Sequence, residues 1–156
     1  AMRGGAKLVH SVDSSAKAID LTCKNVELNF PGDKRHEAFA EDAFKYLDRM
    51  GDQYDLIILD PPAFAKHKNV LHNALQGYRK LNAKAFEKIK PGGILFTFSC
   101  SQVVTKENFR LAVFSAAAQS KRRVRILHQL TQPADHPVNI YHPEGEYLKG
   151  LVLYVE

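Results

Sequence analysis

Strand-like and helix-like segments alternate along the whole chain, and this alternation limits the possible folds more than any other feature. Short apolar or alternating runs predict strands at 8–13, 38–40, 54–59, 94–98, 124–130 and 147–155. Apolar residues at helical spacing predict helices at 14–30, 43–50, 71–89 and 105–119. Strands separated by helices are typical of a parallel sheet with crossover helices. We therefore predict one α/β domain over 1–156, with a doubly wound, mostly parallel sheet.

Size and composition agree with a single globular domain. The chain has 156 residues, of which 45% are hydrophobic and 25% charged, which is enough for a core and excludes a disordered tail or a coiled coil. No run approaches the roughly 20 apolar residues of a membrane span, and no secretory leader is visible, so we expect a cytoplasmic protein without a membrane partner. Cys23 and Cys100 lie far apart and outside any metal-binding spacing, so we expect neither a disulfide framework nor a metal.

The charge is moderately basic. Twenty-two Lys and Arg residues against 17 Asp and Glu give a formal net charge of +5. Such an excess is compatible with a nucleic-acid partner without requiring one. Lys66, His67 and Lys68 follow a predicted strand end, where they could meet phosphates, whereas the basic groups over 79–90 and 121–125 are more simply explained as solvated surfaces.

Three acids and a thiol stand at the ends of four successive predicted strands: Asp13, Asp42, Asp60 and Cys100. In an open α/β sheet, ligands bind beyond the carboxyl ends of the strands. Any one of these acids taken alone is more simply a helix cap or a turn former. Their joint placement favours a binding site, in which Asp13 could accept ribose hydroxyls and Asp42 an exocyclic amine.

Two of these strand ends have additional features. Asp60 is followed by Pro61 and Pro62, which fix φ and remove two donors, so that a stiff loop follows a predicted buried strand. Such a loop suits a planar base held beside a reactive group. Cys100 lies between two serines, where a nucleophile is a better interpretation than a small buried apolar group. Cys23 instead falls on the helix stripe of Ile19 and Val26, so we expect it to pack in the core.

Three segments carry a resemblance to a known family. They are Asp-Pro-Pro-Ala-Phe at 60–64, Phe-Ser-Cys-Ser at 98–101 and Pro-Glu-Gly-Glu-Tyr-Leu-Lys-Gly at 143–150, accompanied by Asp-His-Pro at 135–137. Together they resemble class I S-adenosylmethionine (SAM) methyltransferases. The match is best with the bacterial family that methylates C5 of a cytosine in 23S ribosomal RNA. The resemblance implies a Rossmann-like fold, SAM as cofactor and 23S rRNA as partner.

The resemblance also implies roles for individual residues. Cys100 corresponds to the nucleophile, and Asp60 with Pro61 to the motif beside the methyl donor and the target base. Asp13 corresponds to the ribose-binding acid and Asp42 to the adenine-contacting acid, with Ser14 and Ala43 beside them. The residues expected on the substrate side are Pro62, Phe64, Lys68, Tyr78 and Asn82.

The chemistry of cytosine C5 calls for these residue types. C5 is a poor nucleophile, and a thiolate that adds to C6 turns it into an enamine carbon able to attack a sulfonium methyl group. Covalent catalysis of this kind divides one difficult step into easier ones. Asp60 would stabilise the adduct if it shared a proton with cytosine N3.

The chain also departs from the family pattern. Ala63 stands where some RNA cytosine methyltransferases carry a second cysteine, so only Cys100 can act as the nucleophile. The first strand and the glycine-rich loop of the family have no counterpart before residue 1, which indicates an amino-terminally truncated, partial domain. From this we predict weak SAM binding by the chain alone. We also expect a homodimer formed through exposed sheet edges.

Other functions remain open at this point. One alternative is another base specificity on the same fold, such as N2 of guanine, which needs no thiol. Methylation of adenine N6 is less favoured, because an aromatic residue is expected where Ala63 stands. The alternative from a different class is a catalytically inactive truncated fragment.

Overall fold

The computed structural model describes residues 1–51, 54–65 and 67–156, apart from the side chain of Lys68. The chain divides into two compact units, Ala1–Met50 and Gly51–Glu156. The strands are β1 Val9–Asp13, β2 His36–Ala40, β3 Tyr54–Leu59, β4 Ile89–Ser99, β5 Val124–Leu130 and β6 Lys149–Val155. The helices are α1 Ala16–Asn29, α2 Ala43–Arg49, α3 Leu71–Lys88 and α4 Lys106–Ser120, with short 3-10 turns at Met2–Gly4, Lys68–Val70 and Pro143–Gly145.

None of the helices in the described part of the chain combines the length and hydropathy that a membrane span requires.

The amino-terminal unit is built on a pair of parallel strands. β1 and β2 pair in register from Val9 opposite His36 to Asp13 opposite Ala40. The crossover between them is α1, whose first turn is capped by the Ser15 hydroxyl, which accepts a hydrogen bond from the backbone N–H of Ala18 at 3.3 Å. Because the strands are parallel, their carboxyl ends lie side by side at one edge.

The prediction that Cys23 packs in the core is wrong. The Cys23 side chain is exposed, and Ile19 is the buried residue of α1. Within its unit, α1 packs on a sheet of only two five-residue strands, which is too narrow to cover a full apolar stripe. Val26 and Phe30 are consequently only half-buried.

The carboxy-terminal unit contains a mixed four-stranded sheet in the order β3-β4-β6-β5. β3 and β4 are parallel, whereas β6 lies between β4 and β5 and is antiparallel to both. The prediction of a mostly parallel sheet therefore holds for the directions of β3, β4 and β5 and is wrong for β6. The physical reason is the connection from β5 to β6, which contains no crossover helix, so the chain returns antiparallel to the strand it has left.

The third and fourth helices cover one face of this sheet. Phe86 of α3, Phe109 of α4, Leu95 of β4 and Val155 of β6 are all almost fully buried and form its core. The Arg122 guanidinium donates from Nη1 to the carbonyl oxygens of Phe86 and Ile89 at 2.7 and 3.1 Å, which satisfies acceptors at the end of α3. At least one member of the basic 121–125 cluster therefore has a structural role.

The start of β4 differs from the prediction. The strand predicted at 94–98 begins earlier, at Ile89, and includes the residues Pro-Gly-Gly at 91–93. Tyr54 pairs with Ile89 and Leu56 pairs with Ile94, so extra residues on β4 form an irregularity in the ladder. Gly92 adopts a φ of +80°, which other residues rarely adopt, and this permits the bulge.

The expectation that β3 is buried on both faces is also wrong. The side chains of Leu56 and Ile58, which share one face of the strand, are 48% and 61% exposed. β3 is an edge strand of its sheet. The face that carries Leu56 and Ile58 is exposed, whereas α3 and α4 cover the opposite face. Exposed apolar edge strands favour association, and the predicted homodimer stays a prediction.

Candidate functional site

A cavity of about 540 Å³ opens at the carboxyl ends of β3 and β4. Its walls are formed by Asp60, Pro61, Pro62, Cys100, Gln132, Pro133, His136, Tyr147 and Leu148. The two residues that were predicted to be catalytic, Asp60 and Cys100, therefore face the same space. That space has a volume in the range of small-molecule sites.

The parallel pairing of β3 and β4 brings these two residues together. Leu59 pairs with Thr97 in the last register of the ladder, so Asp60 and Cys100 follow neighbouring strand ends. Asp60 is exposed and Cys100 is half-buried. A carboxylate and a thiol are thus both accessible from solvent, and they are complementary in chemistry, since one can exchange protons and the other can attack carbon.

The two serines that flank Cys100 anchor it. Both are fully buried. The Ser99 hydroxyl donates to the Tyr78 hydroxyl at 2.9 Å, and the Ser101 hydroxyl donates to the carbonyl oxygen of Ala65 at 2.7 Å. These bonds tie the loop after β4 to α3 and to the loop after β3. The Ser-Cys-Ser pattern therefore has a physical explanation, because satisfied buried hydroxyls hold the thiol in one place.

Tyr78 lies behind the cavity rather than in its wall. Its side chain is fully buried, and the Phe64 ring packs on it with 4.7 Å between the ring centroids. Burial raises the pKa of the Tyr78 hydroxyl, although hydrogen bonds with Ser99 and with the Phe64 backbone oppose this effect. Tyr78 therefore stays neutral and connects the two loops that carry Asp60 and Cys100.

Among the described residues that were predicted on the substrate side, only Pro62 lines this cavity. Asn82 is fully buried on α3, and its Nδ2 donates to the carbonyl oxygen of Tyr78 at 2.9 Å. The structure gives Phe64, Tyr78 and Asn82 packing roles, and contact with substrate stays a prediction for them. The side chain of Lys68 lies outside the described part of the chain.

Five of the nine residues that line the cavity were not predicted as site residues from the sequence. They come from the segment between β5 and β6, where the His136 ring lies within hydrogen-bond distance of the Tyr147 hydroxyl, at 2.9 Å. The Gln132 amide also donates to the carbonyl oxygen of Gly145. The signal was present in the segments 135–137 and 143–150, which carried the family resemblance, but no residue of these segments was predicted to belong to the site.

The predicted cofactor residues of the amino-terminal unit lie at the ends of β1 and β2. The backbone N–H of Glu41 donates to the carbonyl oxygen of Asp13 at 3.0 Å, so the two strand ends are adjacent. Asp13, Ser14, Asp42 and Ala43 are all exposed.

Both acids of this unit also act as a turn former or a helix cap, the role expected of a single acid after a strand. Asp13 Oδ1 accepts from the backbone N–H of Ser15 at 2.7 Å. Asp42 Oδ1 accepts from the backbone N–H groups of Phe44 and Lys45 at 3.0 and 3.1 Å and caps α2. The hydrogen bonds found among the described residues use Oδ1 of each acid, which leaves Oδ2 available to a ligand.

The chain is similar in sequence to bacterial proteins named ribosomal RNA large subunit methyltransferase I. It is 42% identical over 158 residues to the protein from Cronobacter sakazakii, covering 99% of this chain and 40% of that protein. It is 44% identical over 156 residues to the protein from Tolumonas auensis, covering 98% of this chain and 39% of that protein. The chain thus spans about two fifths of the length of the curated relatives it matches. No protein-family model matches it.

Solved structures give the same result for the fold. The structure of SMU.776, which is assigned as a methyltransferase and is complexed with SAH, superposes with a TM-score of 0.82 at 25% identity, covering 99% of this chain and 40% of that one. A protein from Streptococcus mutans that is assigned as SAM-dependent gives 0.81 at 23% identity, with the same coverage. The chain is therefore a homologue of part of the large-subunit rRNA methyltransferases and has the α/β fold of class I methyltransferases, as the sequence predicted.

Proposed function

We propose that this chain carries the catalytic part of a SAM-dependent methyltransferase that modifies C5 of a cytosine in 23S rRNA, with Cys100 as the nucleophile. The observation that carries the proposal is the shared cavity of Asp60 and Cys100, in which a solvent-accessible thiol faces the same space as a carboxylate. The relatives are named as methyltransferases of large-subunit ribosomal RNA, and these names supply the substrate class. Because the chain spans about 40% of their length, the activity of the whole protein is part of this proposal.

The residues present fit SAM as the methyl donor. When bound, SAM supplies a methyl group on a positively charged sulfur. Asp13 would accept the ribose hydroxyls and Asp42 the adenine amine, since each retains a carboxylate oxygen outside its own turn or cap. Ser14 and Ala43 stand next to these acids, and we assign Asp60 and Pro61 to the side of the reacting methyl group.

The proposed reaction begins with Cys100. Its thiolate forms a bond from Sγ to cytosine C6, the C5–C6 π electrons move to C5, and Asp60 provides the proton that N3 takes up. C5 then forms a bond to the methyl carbon, and the electrons of the broken sulfur–methyl bond remain on the donor. A base removes the proton from C5, whose electron pair restores the C5–C6 double bond. The C6–Sγ bond breaks, Cys100 leaves as the thiolate, and Asp60 recovers its proton from N3.

Methylation of guanine N2 is the competing chemistry, and the product distinguishes the two. The protein is incubated with SAM carrying a labelled methyl group and with a 23S rRNA transcript, and the digested RNA is analysed by mass spectrometry of its nucleosides. We expect the label in 5-methylcytidine. Label in N2-methylguanosine, or no transfer to RNA at a SAM concentration high enough to compensate for the predicted weak binding, would contradict the proposal. The Cys23→Ser variant is the control, since this exposed thiol has no role in the reaction and its removal should leave the product unchanged.

A further inference from the structure

Lys149 is a buried cation beside the candidate nucleophile. Only 7% of its surface is exposed, although lysines are rarely buried unless they are paired. Its ammonium group donates to the carbonyl oxygens of Ser101 and Tyr147 at 2.5 and 2.7 Å, and both acceptors are neutral. The ion pairs found within the described part of the chain do not include Lys149. The charge of this lysine is thus solvated by two carbonyl groups. Glu107 and Glu146 line the same cavity as Lys149 but form no ion pair with it among the described residues.

The strand register places the backbone of Lys149 beside the strand end that carries Cys100. Lys149 pairs with Ser99 in the antiparallel ladder of β6 and β4, so Cys100 is the next residue along β4. The two carbonyl acceptors belong to Ser101, which directly follows Cys100, and to Tyr147, which lines the same cavity as Cys100. Burial lowers the pKa of Lys149, a negative charge on Cys100 acts in the opposite direction, and the Lys106 ammonium lowers this pKa further.

We propose that Lys149 is a positioning residue whose ammonium group is the counter-ion of the Cys100 thiolate. This inference rests on the proposed function, because it concerns the nucleophile of that reaction. With a neutral thiol, the buried ammonium has only carbonyl partners. Ionisation of Cys100 supplies the missing anion, and a cation beside a thiol in turn favours the thiolate. Lys149 would also hold the loop after β4 through Ser101, so the same side chain fixes both the position and the charge of the nucleophile.

The other charged and titratable groups near Cys100 do not provide this stabilisation. Asp60, after β3, lines the same cavity, and a carboxyl group has no positive charge to offer a thiolate. Tyr78 faces the site from α3 as a neutral hydroxyl. On α4, Lys106 is paired with Glu146 at 2.5 Å.

His136 and Tyr147 are two further titratable groups that line the cavity. They come from the segment that leads into β6 and contact each other at 2.9 Å. Since Asp60 cannot be a cation and Lys106 is already paired with Glu146, Lys149 is the group best placed to balance a thiolate at Cys100.

The test is the pH dependence of alkylation of Cys100 by iodoacetamide, with the labelled peptides quantified by mass spectrometry. Cys23, an exposed thiol in the same molecule, is the internal reference. We expect half-maximal alkylation of Cys100 at a pH about one unit below that of Cys23. Lys149→Met should move the Cys100 curve upward by about one unit and leave the Cys23 curve in place, whereas Lys149→Arg should restore most of the difference. Lys106→Met is the matched control and should leave both curves in place.

Equal curves for Cys100 and Cys23 in the wild type would overturn the inference, and this comparison decides it even if Lys149→Met does not fold. An unchanged Cys100 curve in a folded Lys149→Met variant would overturn it as well. Alkylation needs neither RNA nor SAM, so its result is independent of the methylation assay. Equal alkylation curves for Cys100 and Cys23, together with a 5-methylcytidine product, would contradict the role of Lys149 and leave the proposed function in place. A Cys100 alkylation curve at lower pH than that of Cys23, together with a different methylated nucleoside, would instead contradict the proposed function and leave the role of Lys149 in place.

Discussion

Replacing Cys100 with alanine is expected to reduce methyl transfer to RNA at least about a thousandfold. Such a loss corresponds to about 4 kcal/mol of activation free energy. Without the thiolate, cytosine C5 does not become an enamine carbon, and nothing else among the described cavity-lining residues offers a comparable nucleophile. Cys100→Ser should be almost as inactive, because a hydroxyl is far less ionised than a thiol near neutral pH.

The measurement is the single-turnover rate of label transfer from SAM to the rRNA transcript. Thermal unfolding and SAM affinity, which are measured in parallel, should change little, since Cys100 is only half-buried and its flanking serines supply the buried hydrogen bonds. Cys23→Ser is the matched control and should retain the wild-type rate. Wild-type transfer by Cys100→Ala would show that the reaction does not pass through a covalent adduct.

Asp60→Asn is expected to have the second largest effect, a loss of about a hundredfold to ten-thousandfold in the same rate. Asparagine preserves the shape of the side chain but cannot give a proton to N3 and take it back, so the adduct loses its stabilisation. The loop should keep its conformation, because Pro61 and Pro62 restrict it and the Ser101 hydroxyl anchors the following segment at Ala65.

Asp55→Asn provides the matched control for this substitution. Asp55 lies near the start of β3, and the Asp60 loop follows the end of the same strand. Asp55 forms an exposed ion pair with Lys90 at 3.1 Å. Exposed pairs of this kind contribute little to stability, so this variant should retain its rate. If both variants transferred methyl groups at the wild-type rate, Asp60 would have no part in the proton transfer.

The sequence predicted that Asp60 and Cys100 would meet at one edge of a sheet, and both line one cavity there. Asp60 and Cys100 each follow an apolar strand, and strands joined by a helical crossover run parallel, so their carboxyl ends meet. The acids of the amino-terminal unit were located by the same argument, since Asp13 and Asp42 follow β1 and β2. The pattern of a strand and the residue that ends it are both local properties, and they are readable without tertiary structure.

Features that depend on tertiary partners were not predictable in this way. The apolar run of β3 does not reveal that the strand forms a sheet edge with Leu56 and Ile58 exposed. The segment between β5 and β6 contains no crossover helix, and this sets the direction of β6. The direction of β6 in turn places Lys149 beside the strand end that carries Cys100. Cys23 is exposed because α1 packs on a narrow sheet, which the helix pattern alone does not reveal. The segment that carries His136 becomes a cavity wall only when it folds over the ends of β3 and β4.

The most direct test of covalent C5 chemistry is trapping with an RNA that carries 5-fluorocytidine in place of cytidine. After thiolate addition and methyl transfer, C5 of this substrate carries no proton, so the C6–Sγ bond cannot be released by elimination. We predict a protein–RNA complex that survives denaturation, requires SAM and maps to the peptide containing Cys100, and that is absent from Cys100→Ala. Methylation of the unmodified transcript without any trapped complex on the fluorinated RNA would contradict a mechanism that proceeds through Cys100.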